Sequence, residues 1–302
     1  MINGQRSTVN GQVSFIATIG FFDGVHLGHR HLINQVLQMA HDRRLEPLAI
    51  TFVQRPRQVI HHEAARNCLL TTLDEKLHLL KEVGVSRCEV MEFTPELASM
   101  TAREFMQKLH DQYRVKALVI GYDHRFGHNR SEGFDDYVSY GNDLDIEVIQ
   151  ANQFPAVSSS RIRELLLCGD LKVANQCLGY DYLLQGRVVN GFHVGHTIGY
   201  PTANLEVQAE KLIPANGVYA VRVELGEGHY QGMLNIGTRP TLANGDERSI
   251  EVHIFDFDEN IYNKKLRLSL VKRMRGEVKF ANTEQLVLQL KQDEADIRSV
   301  LA

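Results

Sequence analysis

The chain has 302 residues, long for one compact domain and comfortable for two. Its hydrophobic (43%) and charged (23%) fractions are those of a soluble globular protein, and a net charge of -4 excludes a general nucleic-acid binder, which would carry a basic face. The polar start MINGQRSTVNGQ has no apolar signal core and no later run is apolar enough to span a bilayer, so a cytoplasmic protein is expected.

In chain order, VSFIATIG reads as a buried strand. HRHLINQVLQMAHDRR then sets Leu32, Ile33, Val36, Leu37 and Ala40 on one helical face. PLAITFV is a second strand. TTLDEKLHLLKEVG is a helix with Leu73, Leu77 and Leu80 inward, stopped at Gly84. CEVMEF, the helix TAREFMQKLHDQY and the strands VKALVIG and DIEVIQ keep the rhythm. Such alternation predicts βαβ units and a mainly parallel sheet, which binds ligands beyond the carboxyl ends of its strands, where Gly20 and Gly121 stand. After about Gly179 the helices drop out. YLLQGRVV, GVYAVRVEL, SIEVHIFDF and KLRLSLVKR alternate in period two between turns, which predicts a small antiparallel barrel. NTEQLVLQLKQDEADIRSVLA closes the chain as a helix with Leu286, Leu290 and Ile297 on one side and Asn282 or Thr283 as N-cap. The boundary is expected near residue 180, giving domains 1–180 and 181–302. Cys68, Cys88, Cys168 and Cys177 form no CxxC pair and are expected to be reduced thiols; His61 and His62 read as a solvated loop.

Chemistry concentrates first in IGFFDGVHLGHRHL, from Ile19 to Leu32. Gly20 ends a strand, and a helix is expected to start at Gly28 or His29. A helix start offers unpaired N–H groups and partial positive charge, so it suits phosphate. The glycines admit close backbone approach, and His26 and His29 project beside the same anion as donors. A third metal ligand is missing nearby, which argues against zinc. A second cradle is expected at VSSSRIRELL, where Ser158, Ser159 and Ser160 cap a helix carrying Arg161 and Arg163 in its first turn. In the later half, GFHVGHTIGYPTANL supplies the Thr202 hydroxyl and the Asn204 amide oxygen, hard ligands suited to Mg²⁺ held with phosphates. Glu251 shares a strand face with His253 and Phe255 rather than with Val252 and Ile254, and a carboxylate there can take a proton from an attacking hydroxyl.

GFFDGVHLGH resembles the GxFDGxHxGH signature of bacterial bifunctional riboflavin kinase/FAD synthetases, within the wider HxGH nucleotidylyltransferase superfamily. LTTLDEKLHLL resembles the TTLxEK helix of that family, GYDHRFGHNRSEG its GxDFxFGxxxxG segment and VSSSRIRELL its ISSTxIR motif. GFHVGHTIGYPTANL resembles GRxxGxPTAN, and SIEVHIFDFDENIYNKKLRL the IExHIFDFxxDIYG segment. The likeness runs over roughly residues 12–300. It implies an α/β parallel-sheet, Rossmann-like nucleotidylyltransferase domain followed by a small antiparallel β-barrel riboflavin kinase domain with a C-terminal helix. It implies phosphorylation of riboflavin to FMN and adenylylation of FMN to FAD with release of pyrophosphate. ATP would be the co-substrate, flavin both substrate and product, and Mg²⁺ or a similar divalent cation the cofactor. Neither nucleic acid nor membrane is an expected partner.

The resemblance implies roles residue by residue. His26, His29 and Glu251 would be catalytic, Glu251 as the base. Gly20, Phe21, Asp23, Gly24, Gly28, Ser159, Ser160, Arg161, Gly195 and Thr202 would bind nucleotide, with ATP held between the two cradles of the first domain. Asp123, Phe126 and Arg163 would bind flavin, and Thr202 and Asn204 the metal. FMN is already ionised near neutral pH, so its attack on the α-phosphorus needs no enzyme base. Some positions depart from the family pattern. His196 stands for an arginine, Phe21 for a frequent asparagine, Arg55 for a histidine, His124 for a phenylalanine and Ser160 for a threonine. They leave two rivals: a single-activity adenylyltransferase with a weakened kinase domain, and a non-catalytic flavin or nucleotide sensor. Intact His26, His29, Thr202, Asn204 and Glu251 speak against the sensor.

Overall fold

A computed structural model describes residues 8–9, 12–53, 69–122, 124–128, 132–155, 157–191, 198–240 and 246–302. Its contacts divide the chain into two units, Met1–Ala65 with Leu73–Val157, and Arg66–Thr72 with Ser158–Ala302.

The first unit begins with a short antiparallel ribbon, β1 (Thr8–Val9) and β2 (Gln12–Val13). Five parallel strands follow: β3 (Phe15–Ile19), β4 (Glu46–Phe52), β5 (Arg87–Met91), β6 (Val115–Ile120) and β7 (Glu147–Gln150). Between them run α1 (Leu27–Arg43), α2 (Leu73–Glu82), α3 (Pro95–Ser99), α4 (Ala102–Tyr113) and α5 (Phe134–Leu144). Strand order is β5-β4-β3-β6-β7, so the winding reverses between β3 and β6. An open sheet has its crevice at that switch point, beyond Gly20 and Gly121. Every residue of β3 is buried because helices cover both faces. Phe15, Ala17 and Ile19 pack with Leu48, Ile50 and Leu118 on one side, whereas Ile16 packs with Val36, Ala40 and Val119 on the other.

Two details differ from expectation. The expected inward face of α2 was Leu73, Leu77 and Leu80, but the buried residues are Glu75, Lys76, Leu79 and Leu80. Two charged side chains face inward there, which apolar periodicity cannot register. In addition, the polar run FDDYVSYGNDL shows no helical apolar face, yet it forms α5 with only Tyr137, Gly141 and Leu144 buried.

The second unit opens with α6 (Ser159–Cys168) and α7 (Leu171–Leu178). The barrel strands are β8 (Tyr182–Val189), β9 (Ala203–Val207), β10 (Gly217–Leu225), β11 (Gly228–Pro240), β12 (Asp246–Ile254) and β13 (Lys265–Arg275). They close in the order β10-β11-β12-β9-β8-β13, and the chain ends in α8 (Thr283–Leu301). Asn282 is the N-cap, its side chain accepting from the Gln285 N–H at 2.9 Å. α8 lies on the outer face of the barrel, where Ile297 and Leu301 pack with Val218, Ala220, Met233 and Phe255.

By contacts, α6 and α7 group with the barrel, and this unit takes up the chain at Ser158. The Asn175 amide of α7 donates to the Leu270 carbonyl at 2.9 Å and accepts from the Tyr182 N–H at 3.0 Å, tying α7 to β13 and β8. The segment Arg66–Thr72 also joins this unit. The Leu69 N–H donates to the Glu210 carbonyl and the Leu212 N–H to the Leu69 carbonyl, each at 2.8 Å. Cys88, Cys168 and Cys177 are free thiols. Cys68, Arg55, His61 and His62 lie outside the described residues. Among the described residues no helix is long and apolar enough to cross a membrane.

Candidate functional sites

In the first unit the turn after β3 is held tightly. The Gly20 N–H donates to the Ile50 carbonyl at 3.0 Å, prolonging the β3–β4 ladder. The Phe21 carbonyl then accepts twice, from Thr51 Oγ1 and from Lys76 Nζ, both at 3.1 Å. Phe22 (φ 51°), Gly24 (φ 83°) and Val25 (φ 36°) take left-handed backbone, and Asp23 is buried between them. Strained backbone of this kind persists where the surroundings impose it and clusters at functional sites. The helix begins at Leu27 with His26 as N-cap, slightly before the expected start, so Gly28 stands in its first turn. The His26 side chain makes no capping bond. The N–H groups of that first turn therefore remain for a ligand or water.

His26 and His29 stack, ring centroids 3.7 Å apart and 17° from parallel, and His29 meets the Phe22 ring edge-on at 5.4 Å. Both Nδ1 atoms are buried without a hydrogen-bond partner among the described residues. Burial lowers the pKa of His26 to about 4, although Asp23 pulls the other way. Burial also holds His29 well below the usual histidine range, with repulsion from His26, Lys76 and His124 adding to it. Both rings are thus neutral at pH 7, each with one N–H to donate.

Beyond β6 a cavity of about 290 Å³ is lined by Gly121, Tyr122, His124, Arg125, Phe134 and Tyr137, among others. Phe126, expected at a flavin, is buried and stacks on Tyr137 at 4.3 Å. The Tyr137 hydroxyl takes the Phe126 N–H at 3.2 Å and donates to the Phe126 carbonyl at 3.1 Å. Phe126 thus lies behind Tyr137, which lines the cavity. Asp123 lies outside the described residues.

In the second unit Ser158 is the N-cap of α6, accepting from the Arg161 N–H at 3.3 Å. Ser159 and Ser160 occupy the first helical positions, and Arg163 is half-buried one turn on. Arg161 is exposed and paired with Glu164 at 3.1 Å, an arrangement worth little and easily exchanged for another anion.

The barrel brings distant residues together by register. Glu251 on β12 lies opposite Asn204 of β9 on one side and Asn235 of β11 on the other. Cross-strand partners share a face, so these three form a polar row. Val252, opposite Ala203, turns inward with Ile254, which settles the face the sequence left open. The Thr202 hydroxyl reaches Glu251 Oε2 at 3.4 Å and also lines a cavity of about 490 Å³ with Val188, Ala203, Val252, Ile254 and Tyr262. A Cβ on Gly191 would run into the Asn204 amide, so the glycine leaves that side chain its place. His253 donates from Nδ1 to the Pro201 carbonyl at 2.7 Å, steadying the segment that carries Thr202. Gly195 and His196 lie outside the described residues. Sequence reasoning named Thr202, Asn204 and Glu251 but missed Asn235, the anchoring role of His253, and Lys76. Only the position of Lys76 within TTLDEK signalled anything, and that without a role.

A family model described as FAD synthetase matches residues 10–164, and one described as riboflavin kinase matches residues 178–301. A protein of Escherichia coli (strain K12) named bifunctional riboflavin kinase/FMN adenylyltransferase is 36% identical over 293 residues, 95% of this chain and 93% of that protein. This chain belongs to the bifunctional riboflavin kinase/FMN adenylyltransferase family. A member from Listeria monocytogenes is 33% identical over 293 residues, covering 96% of this chain and 93% of the relative. A crystal structure from Streptococcus pneumoniae, described as a macrolide-efflux protein, superposes with a TM-score of 0.85 at 33% identity and covers 94% of each chain. The likeness therefore extends over both units, and this family member is an enzyme of flavin cofactor biosynthesis with a kinase and an adenylyltransferase activity. ATP and flavins are the substrates those activities imply.

Proposed function

We propose that the barrel unit transfers the γ-phosphoryl group of ATP to the riboflavin 5′-hydroxyl, and that the α/β unit joins the AMP part of a second ATP to FMN. The observation that carries the division is that two separate polar constellations suited to phosphate stand in the two units. One is the stacked His26–His29 pair with orphaned Nδ1 atoms at a helix start. The other is the Thr202–Glu251 contact at the cavity rim.

In the barrel, Glu251 accepts the hydroxyl proton as the riboflavin oxygen attacks the γ-phosphorus and ADP leaves. Thr202 orients the carboxylate, and the cavity beside it takes the flavin or nucleotide. Hydroxyl, amide and carboxylate oxygens make a hard donor set that fits Mg²⁺, and Asn204 keeps its position because Gly191 has no side chain. Thr202 and Asn204 would hold the ion, which when bound neutralises phosphate charge.

In the α/β unit an FMN phosphate oxygen attacks the α-phosphorus, the bond to the β-phosphate breaks and pyrophosphate leaves. The N–H groups at the start of α1 and the neutral His26 and His29 donate to phosphate oxygens as charge builds up. Gly20, Phe21, Asp23, Gly24 and Gly28 are proposed to shape the nucleotide turn. Ser159, Ser160 and Arg161 are proposed as further nucleotide contacts, and Asp123, Phe126 and Arg163 as flavin contacts, on the family motifs alone. The cavity beyond β6 is the candidate place for the flavin of this step.

The test is a two-step assay. Purified protein with riboflavin and Mg-ATP should yield FMN and then FAD by chromatography. Glu251→Ala should stop FMN formation and spare FMN-to-FAD conversion, and His29→Ala should do the reverse. Equal loss of both steps in either folded variant would overturn the division.

A further inference from the structure

Lys76 is 2% exposed, an uncommon place for an ammonium, which is costly to strip of water unless its protons are satisfied. It lies on α2, outside every motif position assigned a role above. Its Nζ donates to the Phe52 carbonyl at the end of β4 at 2.9 Å and to the Phe21 carbonyl at 3.1 Å, and lies 4.2 Å over the Phe21 ring. The Phe21 carbonyl is thus pinned by two side chains, Lys76 and Thr51, which fixes the peptide plane joining Phe21 to Phe22. Phe22 takes its left-handed conformation directly after that plane. Its ring fills the space beside Gly20, where a Cβ would come within 2.8 Å of it. The same ring presents itself edge-on to His29 at 88°. A chain of contacts therefore runs from the ammonium through one carbonyl and one aromatic ring to an imidazole.

We propose that Lys76 is a positioning residue for adenylyl transfer: by clamping the Phe21 carbonyl it sets the Phe22 ring, and through it the orientation of His29. Lys76 touches no reacting atom in this role. The proposal rests on His29 acting at phosphate, as read above. Two further facts agree with it. Burial lowers the pKa of Lys76 to about 8 against the pull of Asp23, so the group is still largely cationic at neutral pH. Its charge is also among the influences that disfavour a proton on His29, which keeps that ring a neutral donor.

The experiment is a mutant cycle on the full chain, with kcat and KM measured for FAD formation from FMN and Mg-ATP. FMN formation from riboflavin serves as the internal control. Lys76→Met should lower kcat for FAD formation about 100-fold, the loss expected when a reacting group is misplaced by about an ångström, with KM for ATP nearly unchanged. FMN formation should stay at the parent rate. In a His29→Ala background the same change should cost little more, because residues acting through one another are not additive. Thr51→Val, which removes the other donor to the same carbonyl, should show a smaller loss of about 5-fold and the same non-additivity. It carries the cycle if Lys76→Met unfolds the α/β unit. An unchanged kcat in folded Lys76→Met overturns the proposal, and so does an equal loss with and without His29. If His29→Ala alone leaves FAD formation intact, the reading of the site fails first, and the two failures are told apart.

Discussion

In the α/β unit the candidate chemistry lies in one continuous stretch, Gly20 to His29, whereas in the barrel Thr202 and Asn204 meet Glu251 only because β9 pairs with β12. The first arrangement owes its geometry to a turn. Left-handed Phe22, Gly24 and Val25 bend the chain sharply, and Thr51 and Lys76 brace it from the sheet and from α2. Its histidines are buried and neutral. The second owes its geometry to register, in which a slip of one residue would turn Glu251 inward and Val252 outward. The difference teaches where each step is vulnerable. The turn is sensitive to whatever supports its backbone, and the barrel site to whatever fills the space between strands.

The largest expected effect breaks the comparison cleanly. Glu251→Gln keeps the shape and the Thr202 contact but removes the base, and riboflavin phosphorylation should fall about 10³-fold. Stopped assays of FMN-to-FAD conversion by the same protein should show the parent rate. A fall in both rates would mean that the units do not work separately.

The buried histidines give the next effect, on stability. His26 has a pKa of about 4 in the folded chain, below the 6.5 of an ordinary histidine. Above pH 6.5 it is neutral folded and unfolded, and contributes no pH dependence. Between pH 6.5 and about 4 the unfolded chain binds the proton first, so the α/β unit loses stability as pH falls through that window. The loss approaches about 3 kcal/mol once the pH is below both values. Hydrogen exchange of the β3 and β4 amides, corrected for intrinsic rates, should quicken between pH 7 and pH 4.5 in the parent and less so in His26→Gln. Equal pH dependence in the two proteins would mean that His26 is not the group responsible.

Much of this architecture is legible in the residues. The fully buried β3 and its successors read as parallel strands because helices cover both faces, and GVYAVRVEL alternates because one side faces the barrel interior. Of the two caps the sequence offers, Asn282 and Thr283, the structure uses Asn282. What escapes is whatever depends on tertiary burial of polar groups. Lys76 and Glu75 count as outward in any apolar period, yet they form the inner face of α2. Phe126 reads as a binding aromatic, and the sequence gives no sign that its ring stacks on Tyr137. Nor does the sequence show that α7 is anchored by Asn175 to strands that come later in the chain, which groups it with the barrel by contacts. His26 and His29 are legible as phosphate donors, whereas the clamp that aims His29 arrives from another helix.

The smallest expected effect sharpens the claim about the barrel. Gly191 needs no unusual backbone angle, so an alanine there introduces no torsional strain; its new Cβ simply meets the Asn204 amide. That amide must then swing away from the polar row it shares with Glu251 and Asn235. If Asn204 serves the nucleotide-bound cation, Gly191→Ala should raise KM for Mg-ATP in riboflavin phosphorylation about 10-fold, the cost of one misplaced polar contact near 1.4 kcal/mol. kcat should change less, because Thr202 and Glu251 keep their contact. Excess Mg²⁺ should restore part of the loss, which a purely steric block of the flavin would not allow. FAD formation, made by the other unit, should not respond at all. A Gly191→Ala protein with parent KM for Mg-ATP would show that the Asn204 amide is free to move without consequence, and would leave Thr202 as the residue on which cation binding in the barrel depends.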